Sequence, residues 1–257
     1  MQLGTKMFQN KEIVWITLIN EAYIEYTMNF LESMKRASCA FILIVYYIDI
    51  SVKDKLKDYT NCICLDASIF AKYKLTSSET SWKQHEYKQI CFAKLDAIKY
   101  TRQMLLPLNV KYVGYVDTDI VLFSDPSPIV LEYFRTHEDC TILAQCDEVS
   151  KTCRSSKNCN LFCAGFIIFN EAVNDSLFTY VDKDLYRRSS DQQFLQHETR
   201  IKKINVHTLP KNVCMNGGYT HAWTKPVSKE ACLLHFNHII GNTKKMERMK
   251  EMDMWYL

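Results

Sequence analysis

Residues 40–48, AFILIVYYI, are apolar without interruption, and this constrains the fold more than any other feature of the chain. A strand that shows one face to water alternates apolar and polar side chains; one that is apolar throughout is buried on both faces. Ahead of it, residues 11–20 (KEIVWITLIN) are rich in β-branched and aromatic types and end in a polar turn, which predicts another strand. Between the two, Tyr23, Tyr26, Phe30, Leu31 and Met34 recur at helical spacing within residues 21–38. A β-α-β unit of this kind predicts an α/β fold with a mostly parallel sheet covered by helices on both faces. The apolar run is far shorter than the roughly 20 residues of a membrane span, so it reads as a strand.

The pattern continues with a helix over 52–59, a short strand over 62–65, and an amphipathic helix over 90–106 that Pro107 stops. Residues 112–116 (YVGYV) form a strand that runs directly into Asp117. After Pro126 the signal is less regular. Strands are predicted over 140–145 and 162–169, a helix from Asp191, and a last helix over 244–255. No repeat or low-complexity linker divides the chain, so a single domain over 1–257 is expected.

Composition narrows the function classes. An apolar fraction of 47% and a charged fraction of 24% are ordinary globular values. A net charge of +3, from 32 basic and 29 acidic residues, makes no nucleic-acid footprint. The first residues contain no apolar leader, so a cytoplasmic protein without a membrane anchor is expected. In that compartment the 11 cysteines stay reduced. Four of them (Cys146, Cys153, Cys159 and Cys163) lie close in sequence but show no C-x-x-C pair, which favours packed thiols over a zinc site.

Chemistry concentrates in two places. In residues 112–126, YVGYVDTDIVLFSDP, an apolar strand delivers Asp117 and Asp119 at its carboxyl end, where open α/β sheets bind ligands. Two carboxylates there repel each other and lose hydration unless a cation joins them. Mg²⁺ or Mn²⁺ suits such oxygen ligands and commonly shares them with substrate phosphates. Residues 233–245, LLHFNHIIGNTKK, follow an apolar lead-in with His235, His238, Gly241, Lys244 and Lys245. An imidazole can complete a Mn²⁺ sphere, and a lysine can neutralise a diphosphate. The glycine would allow close approach of backbone to phosphate. The same residues also read as strand-edge histidines before a solvated basic helix.

Together these pieces resemble the nucleotide-diphospho-sugar transferases of the GT-A type. The likeness is closest to the group containing plant xylosyl- and arabinosyltransferases with viral and algal relatives, and more distant to glycogenin-like enzymes. The motifs lie in family order over most of the chain. They are ITLINEAYIEYTMNFLESMKR with Asn20, Tyr23, Asn29, Leu31 and Ser33; VDTDIVLFSDP; CAGFIIFN; SSDQQFL; and LHFNHIIGNTKKMERM.

The resemblance implies a metal-dependent glycosyltransferase that moves a sugar from a nucleotide-diphosphate donor, with UDP as the expected nucleotide, to a hydroxyl of a glycan, glycoprotein or other acceptor, with retention. It implies a donor half over about 11–126 and an acceptor half over about 127–257. Asp119 becomes the principal metal ligand, with Asp117 and His235 completing the protein ligands; His238 fits the glycogenin-like spacing instead. Asn20, Tyr23, Lys94, Asp117, Thr118, Gly165, Gly241, Lys244 and Lys245 would contact the donor. Asp191 and Gln192 would border the reacting sugar, Asp191 as nucleophile, stabiliser or acceptor anchor. One departure stands out: Cys163 replaces the family's asparagine. A nucleotidyltransferase would place a glycine-rich loop after the first strand, where this chain reads LINEA. An inactive sugar-binding relative would have no need to keep Asp117, Asp119, Asp191 and His235.

Overall fold

In the computed structural model, residues 8, 11–80, 84–147, 161–187, 190–217 and 227–257 are described. β1 (Ile13–Ile19) leads through a 3₁₀ turn, Glu21–Tyr23, into α1 (Ile24–Arg36). Tyr23 therefore stands at the entrance of the helix instead of on its face. β2 (Leu43–Tyr47), α2 (Ile50–Leu56) and β3 (Cys62–Asp66) complete the first units. The long helix α3 (His85–Leu105) precedes β4 (Tyr112–Val116) and β5 (Ile120–Leu122).

Where the sequence pattern is less regular, the chain nevertheless forms α4 (Ser127–Thr136), with Pro128 in its first turn, where a missing N–H costs nothing. β6 (Ile142–Cys146), β7 (Phe162–Asn170), α5 (Asp182–Arg187) and α6 (Asp191–Ile201) follow. The chain continues through the short strands β8 (Val206–Leu209), β9 (Cys214–Asn216) and β10 (Leu233–His235) to α7 (Asn242–Glu251). β8 and β9 are too short to carry a periodic signal.

Seven strands form the main sheet in the order β3-β2-β1-β4-β7-β6-β8. β4 and β6 both pair antiparallel with β7, and every other pairing in the sheet is parallel. Strand order reverses between β1 and β4, so a ligand crevice opens at their carboxyl ends, where Asn20 and Asp117 sit.

The apolar run of β2 is explained by burial on both faces. Ile44 and Tyr46 join Val14, Ile16 and Leu18 of β1 in one core, closed by Phe92 and Leu95 of α3 and Phe194 and Leu195 of α6. Leu43, Val45 and Tyr47 face the other core, beneath Phe30, Leu31 and Met34 of α1, Val52 and Leu56 of α2, and Phe134 of α4. A smaller cluster (Tyr26, Val121, Met215, Leu234, Phe236 and Met249) seats α7 on the second, three-stranded sheet β5-β10-β9. Among the described residues no helix is long and apolar enough to cross a membrane.

Trp15 fills the middle of the second core, fully buried, with its ring 5.2 Å from that of Phe166 and its indole N–H donating to Ser127 Oγ at 3.0 Å. It lies beside Gly114, its register partner on β4. A Cβ at Gly114 would stand 2.5 Å from Trp15 Cε3, and the ring is held on all sides. Gly114→Ala is therefore expected to cost about 1–3 kcal/mol by overpacking, read as a lower urea midpoint at unchanged slope.

Candidate active site

β4 ends at Val116, and the next three residues turn the chain out of the main sheet. β5 then pairs antiparallel with β10, with Ile120 opposite His235. That register delivers the imidazole to the residue just before Ile120: Phe236 N–H donates to Asp119 O at 2.9 Å, and His235 Nε2 lies 3.1 Å from Asp119 Oδ1. On the other side Asp117 N–H donates to Gly165 O at 2.7 Å, tying the turn to β7. A Cβ at Gly165 would overlap both the His235 ring and the Asp117 carboxylate, so glycine is what lets these two groups meet. Asp117, Asp119 and His235 each offer a ligand atom within 4.8 Å of the others, a set able to hold a metal ion.

Two lysines balance the carboxylates. Lys245 Nζ lies 2.5 Å from Asp119 Oδ2. Lys94 Nζ bridges Asp117 Oδ1 at 3.2 Å and Asp191 Oδ2 at 3.1 Å, and donates to Ala164 O at 3.4 Å. Burial opposes ionisation of Asp119, but Lys245 and His235 outweigh it and hold its carboxyl far below the usual carboxylate range. Burial likewise disfavours charge on His235, and Asp119 reverses this, raising the imidazole well above its ordinary value. Lys94 follows the same rule: its burial is outweighed by Asp117 and Asp191, which hold the ammonium well above its ordinary value. Asp191 is pushed up by burial, with Lys94 pulling it back.

The remaining sequence candidates fall around this centre. Thr118 is buried inside the turn. Asn20 commits its amide N–H groups to the Thr76 and Ser78 carbonyls, both at 3.0 Å, and so holds the 76–78 segment over the end of β1. Tyr23 is raised by burial and by the nearby Asp119. Gly241 adopts φ +95°, a conformation glycine tolerates, and precedes α7; no atom lies within 4 Å of where its Cβ would be. Lys244 is exposed, and it is Lys245 that reaches the carboxylates. Gln192 accepts from Ala164 N–H at 3.2 Å and donates to Asp147 Oδ2 at 2.8 Å.

His238 stands apart from the carboxylate cluster. Held at φ +63°, it faces Asp147 Oδ1 at 3.2 Å, which leaves His235 as the histidine brought to Asp117 and Asp119. Asp147 is a functional candidate that the sequence reading does not single out, although it follows directly on β6 at the same sheet edge as the other acids. The four-cysteine cluster is seen in part: Cys146 and Cys163 are buried, while Cys153 and Cys159 lie outside the described residues. Cys163 Sγ lies 3.7 Å from His235 Nδ1.

Comparison with known proteins now decides the family, because a profile of the nucleotide-diphospho-sugar transferases matches residues 42–249. The chain belongs to that family. It is a glycosyltransferase that uses a nucleotide-diphospho-sugar donor. Solved structures of the same fold include mouse xyloside xylosyltransferase 1 (12% identity, TM-score 0.54, covering 88% of this chain and 98% of that one). The galactosyltransferase LgtC bound to donor and acceptor sugar analogues aligns at 12% identity and TM-score 0.55, over 94% of both chains. The glycosyltransferase GlyE of Streptococcus pneumoniae aligns at 14% identity and TM-score 0.55, over 95% of this chain and 61% of its own. At these identities the likeness establishes the GT-A fold. No curated protein matches the chain by sequence.

Removing Lys94 would leave buried Asp191 without its counter-charge, while Asp117 would keep His235 Nε2 at 3.8 Å. Lys94→Met is expected to destabilise this glycosyltransferase by about 3 kcal/mol at pH 7. Asp191, already raised by burial, would rise further, so its charged form is what penalises the folded variant. Urea unfolding should show the deficit narrowing as pH falls toward the unfolded carboxylate value of about 4, where protonation relieves it.

Proposed function

We propose that the chain is a metal-dependent, retaining glycosyltransferase that uses a UDP-sugar, with Mn²⁺ or Mg²⁺ held by Asp117, Asp119 and His235. The observation that carries this reading is the β5–β10 register, which brings the imidazole Nε2 within 3.1 Å of Asp119 at the switch point of the sheet. Two hard carboxylates and one imidazole fit a divalent cation with positions left for phosphate oxygens. Such a cation supplies Lewis-acid stabilisation of the departing diphosphate.

The residues around it divide the remaining work. Lys245, which pairs with Asp119, would also serve the donor's diphosphate, together with Lys244 and the backbone at Gly241. Asn20, Tyr23 and Thr118 line the nucleotide side, on the donor half of about 11–126. Gly165 and the Lys94–Asp191 pair border the sugar, and Gln192 orients the acceptor half. Asp191 lies on the sugar's face with its charge held by Lys94, which suits stabilisation of an oxocarbenium-like transition state better than free attack by an unpaired carboxylate.

A panel of nucleotide sugars with Mn²⁺, read as release of nucleoside diphosphate, tests this. Turnover of a UDP-sugar that needs the metal and falls by at least about 10²-fold in Asp119→Asn is expected. Equal turnover in EDTA, or an unaffected Asp119→Asn enzyme, would refute the metal assignment.

A further inference from the structure

Gln145 is fully buried on β6, at the point where pairing with β7 shifts register. Both hydrogens of its amide are spent on backbone: Nε2 donates to Met215 O at 2.7 Å and to Cys214 O at 3.3 Å. Carbonyl oxygens only accept, so the orientation of the amide is decided, and Oε1 must point the other way. There it lies 2.8 Å from His235 Nδ1. An amide oxygen also only accepts, so Nδ1 has to carry the hydrogen.

Resting on the metal reading above, we propose that Gln145 is a positioning residue that keeps a hydrogen on His235 Nδ1, so that Nε2, the nitrogen facing Asp117 and Asp119, is the one left to ligate a divalent cation there. A competitor sits alongside. Cys163 Sγ, 3.7 Å from Nδ1, already accepts from Gly165 N–H at 3.4 Å and from Asn237 Nδ2 at 3.8 Å. Its S–H is the part left to donate, and donation to Nδ1 would put the imidazole hydrogen on Nε2, where it blocks metal binding. Gln145 wins by distance and by the greater acceptor strength of an amide oxygen. Partners of a ligand imidazole commonly control metal affinity in this way.

The test titrates Mn²⁺ alone into wild type, Gln145→Leu and Gln145→Glu, reading free ion by electron paramagnetic resonance, with folding checked by the thermal midpoint without metal. Gln145→Leu, which leaves Cys163 as the neighbour of Nδ1, should bind Mn²⁺ about 10–100-fold more weakly. Gln145→Glu keeps an acceptor opposite Nδ1–H and should stay within about threefold of wild type. Unchanged affinity in Gln145→Leu would overturn the inference. So would equal weakening in both variants, because that would mean Gln145 only holds β9. If Gln145→Leu fails to fold, long-range ¹H–¹⁵N spectra of the Mg²⁺-loaded wild type decide the matter: a hydrogen on Nδ1 of His235 is expected, and one on Nε2 refutes it. A wild type that binds no Mn²⁺ overturns the metal reading itself, and this inference with it.

Discussion

Two carboxylates held at the end of a buried strand need positive charge beside them, and much of this molecule is arranged to supply it. Asp117 and Asp119 sit two positions apart where β4 leaves the sheet, and burial by itself would favour the neutral form of Asp119. Lys245, Lys94 and His235 converge on them from α7, α3 and β10, elements far apart in sequence. Lys94 and His235 are buried, which opposes their charge, and the facing acids outweigh this and hold both well above their ordinary values. The site is thus an electrostatic knot whose parts cannot be removed singly without leaving a buried charge. A divalent cation held by these side chains, as proposed above, would share Asp119 with Lys245.

The backbone makes this knot reproducible. Parallel pairing of β1 with β2 and β4 places strand ends, and therefore Asn20 and Asp117, along one crevice. The antiparallel strand β7 brings Gly165 against Asp117, and the absence of a side chain there leaves room for the imidazole. The small β5-β10-β9 sheet then fixes the histidine by hydrogen-bond register, and a slip of one residue would turn it to the opposite face. Gln145 reaches across from β6 to the same imidazole, so three strands from two sheets determine the position of one ring.

Much of the frame is legible in the residue pattern because burial on both faces writes itself as an unbroken apolar strand, and a covering helix as a 3.6-residue period. The all-apolar run that becomes β2 and the amphipathic run that becomes α3 are of this kind. What the pattern does not carry is pairing between short strands. β8, β9 and β10 hold three or four residues each, too few for periodicity, and their placement comes from tertiary contacts. In the site, acids and histidines stand out by chemical type, so Asp117, Asp119 and His235 are visible before their geometry is. Gln145 and Asp147 are not: one is a lone amide within the apolar run ILAQC, the other an acid at a loop entrance. The choice between His235 and His238 likewise needs the β5–β10 register, since both spacings fit a metal motif.

The central claim is that Asp117, Asp119 and His235 form a divalent-cation site shared with a UDP-sugar. A crystal structure of the chain with Mn²⁺ and UDP, with anomalous data collected at the manganese edge, tests it most directly. The account predicts a single strong anomalous peak directly bonded to Asp119 and His235 Nε2. Well-ordered UDP with no manganese between these side chains would contradict it.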